Sequence, residues 1–274
     1  SSRQLYNNAA NADTSSNGAE NTLPADNIEE IPEEERQPLF KSAAAEEMLA
    51  INPDYIGYVY IPDVFGEPVV QRDNEYYLKH NFYDQVRSVG TVFADPRDVT
   101  NDYSDKQSDN IILYGHNQRD GTMFGTLSYY KVKPSSGSTK GFDFYVNHPT
   151  FEFSNLYEEY TYKIIAAFVI EVEPQHTRDG IIFDYHNYIN FGKSRPFDSF
   201  KENILKHTAI NTGVDFDEND KFLTLSTCSN EFEPSRFVVI GRRVRDGESA
   251  EVDTTLASVN YEAKEPDYSF IYNQ

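Results

Sequence analysis

The sequence predicts a mainly β domain, a barrel or sandwich of about eight strands over residues near 50–245. Short runs rich in β-branched and aromatic residues recur along this region and are separated by polar loops, as expected for consecutive strands. The 274-residue chain contains 20 tyrosines and 19 phenylalanines, and tyrosine favours half-buried positions on a pleated sheet. Helical periodicity is restricted to a few short stretches.

Two of these stretches predict helices. Residues 38–51 begin with a proline suited to a first helical turn, contain three consecutive alanines, and are stopped by Pro53. Residues 194–207 carry a plausible cap, an early proline and apolar side chains at 197, 200, 204 and 205. That spacing places the apolar side chains on one face of a helix.

Eight segments predict strands by alternation or by β-branched content. They are residues 55–62, 67–71, 90–93, 110–114, 150–156, 159–173, 222–228 and 236–243. Shorter helical turns are predicted at residues 74–78 and 121–130. Residues 246–274 show no clear pattern, although their aromatic end at 268–272 could dock on the domain.

Charge divides the chain into three parts. Residues 1–50 hold ten acidic and three basic side chains, and residues 246–274 hold seven acidic and one basic, so the ends supply most of the net charge of −21. We therefore predict a flexible acidic stalk at 1–37, a folded domain at 38–245 and an acidic C-terminal extension at 246–274. The charge argues against nucleic acid as a partner, because phosphate binding needs basic surface.

The sequence says less about the cellular compartment of the protein. A single cysteine allows no internal disulfide, and no apolar run is long enough to span a bilayer. The chain begins with Ser-Ser-Arg, which is compatible with a soluble portion that follows a signal or membrane anchor.

The lone cysteine marks the candidate site. Cys228 ends one predicted strand and Arg236 opens the next, so both lie at the same end of the sheet. A thiol beside a cation is a candidate nucleophile, because the cation favours the thiolate. The alternatives are a buried, inert cysteine and an arginine that forms a salt bridge at the sheet edge.

Six histidines compete for the acid–base role, and His116 stands out because it directly follows the strand at 110–114. The other five lie in predicted loops, turns or a helix end and are expected at the surface. No zinc motif is present, and the acidic loop around Asp98 and Asp105 lacks the order of a calcium-binding loop. We predict no metal and no cofactor.

These motifs resemble those of sortases, in their class B form. The resemblance covers residues 38–244 and rests on segments in matching order: residues 52–62, 68–71, 73–78, 90–93, 114–117, 123–127 and 224–228 with Arg236. It implies an eight-stranded β-barrel with an N-terminal helix and a helix before the cysteine strand. The acidic extension after Arg243 is longer than the resemblance leads us to expect.

The resemblance also implies a function. Sortases are cysteine transpeptidases outside Gram-positive bacteria that cleave a sorting signal of a surface or pilin protein through a thioacyl enzyme. An amine of a cell-wall precursor or a pilin lysine then resolves the thioacyl enzyme. By this resemblance Cys228 is the nucleophile, His116 the general acid–base, and Arg236 the group that positions substrate and stabilises the oxyanion.

The residues implied to line the substrate groove are Asn74, Leu78, Tyr114, Ser226 and Thr227. For Asn74 and Tyr114 a structural role, as hydrogen-bonding groups of the barrel rim, is the alternative. A hydrolytic cysteine endopeptidase and a non-catalytic surface binding module remain as alternative functions, because water also resolves a thioacyl enzyme.

Overall fold

The computed structural model describes residues 36–229 and 231–273. Most of the predicted stalk therefore lies outside the described residues. At its described end, the guanidinium of Arg36 donates two hydrogen bonds of 2.7 and 2.6 Å to the carboxylate of Asp105. The Tyr103 hydroxyl donates to the carbonyl of Gln37 at 2.7 Å.

Eight strands close into a barrel, in the order β1-β2-β3-β4-β8-β9-β6-β5. They are β1 Tyr55–Ile61, β2 Phe65–Val70, β3 Val92–Ala94, β4 Asn110–Tyr114, β5 Thr150–Asn155, β6 Glu159–Glu171, β8 Phe222–Cys228 and β9 Ser235–Arg243. The pairs β2–β3 and β4–β8 are parallel and the other pairs are antiparallel. A separate two-stranded sheet pairs β7 Ile210–Asn211 with β10 Ser258–Val259. The predicted mainly β, eight-stranded barrel is confirmed.

The helices are α1 Ala43–Ile51, α2 Lys140–Asn147, α3 Phe197–His207 and α4 Tyr268–Ile271. The predicted N-terminal helix began too early, at residue 38. The Ser42 hydroxyl accepts a hydrogen bond of 3.1 Å from the amide of Ala45 and thereby caps the helix. The helix before the cysteine strand is present, whereas α2 was not predicted. Within the described residues, none of the helices combines the length and the apolar character that crossing a membrane requires.

The two faces of β8 and β9 have different surroundings. Alternation directs Leu223, Leu225 and Val239 into the barrel core, and Phe222 and Val238 to the outer face. The outer face is covered by an aromatic cluster from the segment between β6 and β8, which includes α3. The same outer face extends to the end of β8 and the start of β9, where the candidate residues lie.

The acidic extension packs along the domain. Besides the β7–β10 pairing, the Asn260 side-chain amide donates to the carbonyl of Thr208 at 2.8 Å. Tyr268 and Ile271 contact the barrel core. Glu248 binds the guanidinium of Arg242, a buried side chain of β9, through two hydrogen bonds. The extension therefore contributes both apolar contacts and a counter-charge to the domain.

Candidate active site

Cys228 and Arg236 are direct partners across the antiparallel β8–β9 pair. Side chains of directly opposed residues project from the same face of a sheet, with Cβ atoms about 4.5–5.5 Å apart. The thiol and the guanidinium are therefore neighbours on the outer face, as the strand order predicted. Cys228 is exposed, so the alternative of a buried cysteine is wrong.

His116 reaches the same end of the barrel from β4. The amide of Gly115 donates to the carbonyl of Ser226 at 3.1 Å and extends the β4–β8 pairing by one residue. A Cβ atom on Gly115 would lie 2.8 Å from the ring of Phe124, so glycine allows this close packing. The Asn117 side-chain amide then donates to the carbonyl of Cys228 at 2.8 Å and ties the histidine segment to the cysteine strand.

One ring nitrogen of His116 is already occupied. Nε2 lies 2.9 Å from the carbonyl oxygen of Leu78. A carbonyl can only accept a hydrogen bond, so Nε2 carries the hydrogen and Nδ1 is the nitrogen available for proton exchange. Gly90, with φ of 66°, lies against the same ring, and a Cβ atom there would come within 3.1 Å of His116 Cδ2.

A cavity of about 240 Å³ brings the candidates together. Its lining includes all eight residues singled out in the sequence, together with Phe93 and Gly115: Asn74, Leu78, Tyr114, His116, Ser226, Thr227, Cys228 and Arg236. Asn74 and Leu78 form one exposed wall. The arrangement places a thiol, an imidazole and a guanidinium beside a groove that could hold an extended peptide.

Ser226 and Thr227 are oriented differently. The Ser226 hydroxyl shares a hydrogen bond of 2.7 Å with the hydroxyl of Tyr185, on the outer face. Alternation places the Thr227 side chain on the side of Leu225, towards the barrel core. Thr227 is 2% exposed, and its hydroxyl has no hydrogen-bond partner among the described residues. Both side chains are buried, since Ser226 is 1% exposed, so neither presents a freely accessible hydroxyl to a ligand.

A charged network supports the floor of the cavity. The Tyr114 hydroxyl donates to Asp95 at 3.1 Å, and Asp95 accepts two hydrogen bonds of 2.8 Å from Arg97. Arg97 also donates to the carbonyl of His186 at 2.8 Å, which connects the floor to the turn that carries Tyr185. Burial raises the pKa of Asp95, but its hydrogen bonds from Arg97 outweigh this and lower the pKa below its ordinary value.

Beside this network lies a second carboxyl group, Asp98, whose pKa is shifted in the opposite direction. Burial raises its pKa to about 8, while a 2.7 Å hydrogen bond from the amide of Ile112 opposes the shift. Its other oxygen has no partner within the described part of the chain. Asp98 is therefore mainly protonated in the folded protein at neutral pH.

Asp98→Asn should remove a pH-dependent loss of stability. In the wild type the folded state holds a proton on Asp98 that the unfolded state releases above about pH 4, so the free energy of unfolding falls as the pH rises from about 4 to 8. The variant lacks this term, and we expect its stability relative to wild type to increase by about 2–4 kcal/mol between pH 5 and pH 8. Urea unfolding at the two pH values measures this. Asp246→Asn, on an exposed residue, is the control, and parallel behaviour of both variants would contradict the assignment.

Other expectations are revised by the structure. His176 and His207 were expected at the surface, but both are buried, because the segment between β6 and β8 and the C-terminal extension pack around them. The predicted alternative of a salt bridge at Arg236 finds no partner within the described residues, where its Nη1 donates to the carbonyl of Ser235 at 3.0 Å. Within the same residues, no three or more His, Cys, Asp or Glu side chains form a group that could hold a metal ion.

Sequence reasoning missed Tyr185 and the role of Asn117. Tyr185 lies 41 residues before Ser226, in a segment without strand or helix periodicity, so no local pattern identified it. Asn117 was visible as a neighbour of His116, but its bond to the Cys228 carbonyl depends on the parallel pairing of β4 and β8.

Comparison with known proteins agrees with this geometry. The sortase domain family model matches residues 68–244. Sortase B of Listeria monocytogenes is 32% identical over 198 residues, which cover 71% of this chain and 71% of the relative.

Solved structures give the same result. A Staphylococcus aureus sortase B–substrate complex has a TM-score of 0.60 and 26% identity, covering 74% of this chain and 85% of the other. A sortase B complexed with triglycine has a TM-score of 0.60 and 26% identity, covering 74% and 86%. The chain therefore belongs to the sortase family as a class B-like member, and it is an enzyme, a cysteine transpeptidase.

Proposed function

We propose that this enzyme cleaves a C-terminal sorting signal of the LPxTG or NPxTN type and joins the acyl group to an amine. The observation that carries the proposal is the cavity in which Cys228, His116 and Arg236 meet. The relatives support both halves of the reaction, since one sortase B structure is a substrate complex and another is a complex with triglycine. A triglycine presents an amine of the kind that the second half requires.

In the first half-reaction, Cys228 Sγ as thiolate attacks the carbonyl carbon of the scissile peptide bond. A C–S bond forms and the carbonyl electron pair moves to the oxygen, where the Arg236 guanidinium can donate hydrogen bonds to the negative charge. His116 gives its Nδ1 proton to the leaving nitrogen as the C–N bond breaks. The products are a thioacyl enzyme and a peptide with a free amine.

In the second half-reaction His116 acts as a base instead of an acid. Nδ1 of His116 removes a proton from the incoming amine, whose nitrogen attacks the thioester carbon. The C–S bond breaks, the thiolate of Cys228 is restored, and a new amide is released. Because Nε2 remains bonded to the Leu78 carbonyl, the imidazole keeps one orientation through both steps.

The groove residues would bind the signal. We assign side-chain contacts to Asn74, Leu78 and Tyr114, all of which line the cavity. Ser226 and Thr227 also line it, but because both side chains are buried we assign them contacts through the backbone. Leu78 offers an apolar surface, and Asn74 and Tyr114 offer hydrogen-bonding groups.

Membership of the sortase family supports a proposal for the partners and the place of action. We propose that the substrates are surface or pilin proteins that carry the signal, and that the amine belongs to a cell-wall precursor or a pilin lysine. The place of action would be the extracellular face of the membrane of a Gram-positive bacterium, with an N-terminal membrane anchor. The net charge of −21 argues against nucleic acid as a partner, because phosphate binding needs basic surface.

The test uses fluorogenic LPxTG- and NPxTN-type peptides with and without triglycine. We expect peptide joined to triglycine, identified by mass spectrometry, and a thioester-sized mass increase on the protein during turnover. If none of the peptides is cleaved or transferred, the proposal fails.

A hydrolytic endopeptidase is the second candidate, because Cys228 is exposed and water can reach the thioester. The ratio of transferred to hydrolysed product as triglycine concentration rises separates the two. A ratio that stays near zero at saturating triglycine would favour hydrolysis.

A further inference from the structure

The link between β8 and β9 determines how Cys228 and Arg236 face each other. This Cys–Arg loop comprises residues 229–234, of which 230 lies outside the described residues. It starts directly after Cys228 and ends one residue before Ser235, the first residue of β9 and the neighbour of Arg236. At its base, the amide of Ser229 donates to the carbonyl of Ser235 at 3.0 Å, and the Ser235 hydroxyl donates to the carbonyl of Ser229 at 3.2 Å. A shift of the loop would therefore move both active-site side chains.

Two lysines hold the loop from one side. The carboxylate of Glu231 accepts a hydrogen bond of 3.1 Å from Lys131 and a second bond from Lys133. Burial raises the pKa of Glu231, but the bonds from Lys133 and Lys131 outweigh it and lower the pKa below its ordinary value. The loop is thus bound to the segment that precedes α2.

The C-terminal extension holds the same loop from another side. The ring of Tyr268 contacts the ring of Phe232 edge to face, with 6.1 Å between centroids and 82° between planes. The hydroxyl of Tyr272, one residue past α4, donates to the carbonyl of Glu231. Lys133 lies 5.2 Å from the Tyr268 ring centroid, so the lysine and aromatic contacts form one continuous cluster.

The extension has anchors of its own, away from the loop. Lys264 donates from its amide to the carbonyl of Lys206 in α3 at 2.8 Å, and Glu265 accepts from the amide of Ser135 at 3.0 Å. Together with the β7–β10 pairing, these contacts fix the path of the extension before it reaches α4. These anchors therefore hold the extension in place on the domain, and the extension in turn can hold the loop in place.

We propose that the C-terminal extension, residues 246–273, is a positioning element of the active site, and that Tyr268 and Tyr272 hold the Cys–Arg loop so that Arg236 stays aimed at the carbonyl that Cys228 attacks. This inference rests on the proposed function. Donors that stabilise a developing charge act best when they are held in place before the reaction, since ordering them during the reaction costs free energy. The eight barrel strands do not include any part of the extension, so this positioning role is separate from the role of the barrel.

Three variants test the proposal in the full chain. Tyr268→Ala removes the ring, Tyr268→Phe keeps the ring contact with Phe232, and Tyr272→Phe removes only the hydroxyl on the Glu231 carbonyl. Tyr261→Phe is the matched control, because Tyr261 is an equally exposed tyrosine of the same extension, at 67% against 65% for Tyr272. We expect kcat for peptide transfer to fall about tenfold in Tyr268→Ala and less in Tyr272→Phe. Tyr268→Phe and Tyr261→Phe should match wild type.

Two further measurements separate positioning from folding and from the function itself. Hydrogen exchange of a peptide that spans residues 229–236 should accelerate in Tyr268→Ala, while exchange in β4 stays unchanged. Labelling of Cys228 by iodoacetamide in the folded state should also change little, because the thiol is already exposed.

The possible results distinguish failure of the positioning role from failure of the proposed function. Unchanged kcat and unchanged exchange in both Tyr268→Ala and Tyr272→Phe, with an active wild type, would overturn the positioning role alone. A wild type that transfers no peptide would overturn the proposed function, and the positioning role for that reaction would fall with it. Loss of activity in Tyr268→Ala accompanied by faster exchange throughout the barrel would mean unfolding and would also count against a positioning role.

Discussion

Replacing Cys228 with alanine is expected to lower the rate of peptide transfer to triglycine at least about 10³-fold, because the variant has no atom that can form the thioacyl bond. His116→Gln should lower the rate about 10²–10⁴-fold, since it removes the proton donor for the leaving nitrogen. The rates are measured by separating transferred and hydrolysed peptide. The double variant should be about as slow as Cys228→Ala, because groups that act in one step are not additive.

Matched controls distinguish chemistry from folding. His148→Gln changes a half-buried histidine that does not line the cavity and should keep wild-type activity. Cys228→Ala should unfold at nearly the wild-type temperature, because the thiol is exposed. Transfer activity retained by Cys228→Ala would refute the covalent mechanism, and equal losses in the two histidine variants would refute the role of His116.

The second large effect concerns stability and arises from Glu248. Its carboxylate binds both terminal nitrogens of Arg242, a side chain only 1% exposed, and accepts a 2.6 Å hydrogen bond from Lys163. Glu248→Gln leaves the buried guanidinium without its main counter-charge. We expect a loss of about 3 kcal/mol in the free energy of unfolding at pH 7, seen as a drop in the thermal midpoint of roughly 6–12 °C.

The effect should depend on pH in a defined direction. The hydrogen bonds from Arg242 hold the pKa of Glu248 well below its ordinary value, with a further contribution from Lys163. A depressed pKa stabilises the folded state above the ordinary glutamate pKa, and this stabilisation is lost as the pH falls. The difference between wild type and Glu248→Gln should therefore shrink below about pH 4.

Glu251→Gln, at an exposed residue of the same extension, is the control for this prediction. Urea unfolding at pH 7 and at acid pH provides the measurement. Equal stability of the two glutamine variants at pH 7 would show that Arg242 does not depend on Glu248.

Local pattern was sufficient for most of the barrel. The strand at 110–114 was predicted with the bounds that the structure gives β4, because its apolar run is flanked by polar and glycine residues. The helix before the cysteine strand followed from apolar spacing and begins three residues after the predicted 194. The N-terminal helix was placed too early, since the proline at 38 suggested a start and the cap at Ser42 decided it.

Contacts between distant segments were beyond local pattern. The β7–β10 pair is made of two two-residue strands separated by more than 40 residues, which carry no recognisable alternation. The contact of Tyr272 with Glu231 likewise spans 41 residues. Such pairings depend on the closure of the whole chain, because their free energy comes from contacts that no single segment contains.

The sequence by itself placed a thiol, an imidazole and a guanidinium at the ends of predicted strands. The order of Cys228 and Arg236 along the chain put these two at the same end of the sheet, and the resemblance to sortases added His116 to them. The tertiary structure alone decided how these groups are presented. It showed that His116 uses Nε2 to bind the Leu78 carbonyl, and that the acidic extension lies against the Cys–Arg loop. Those features depend on the direction of individual side chains in three dimensions, which residue type and spacing do not specify.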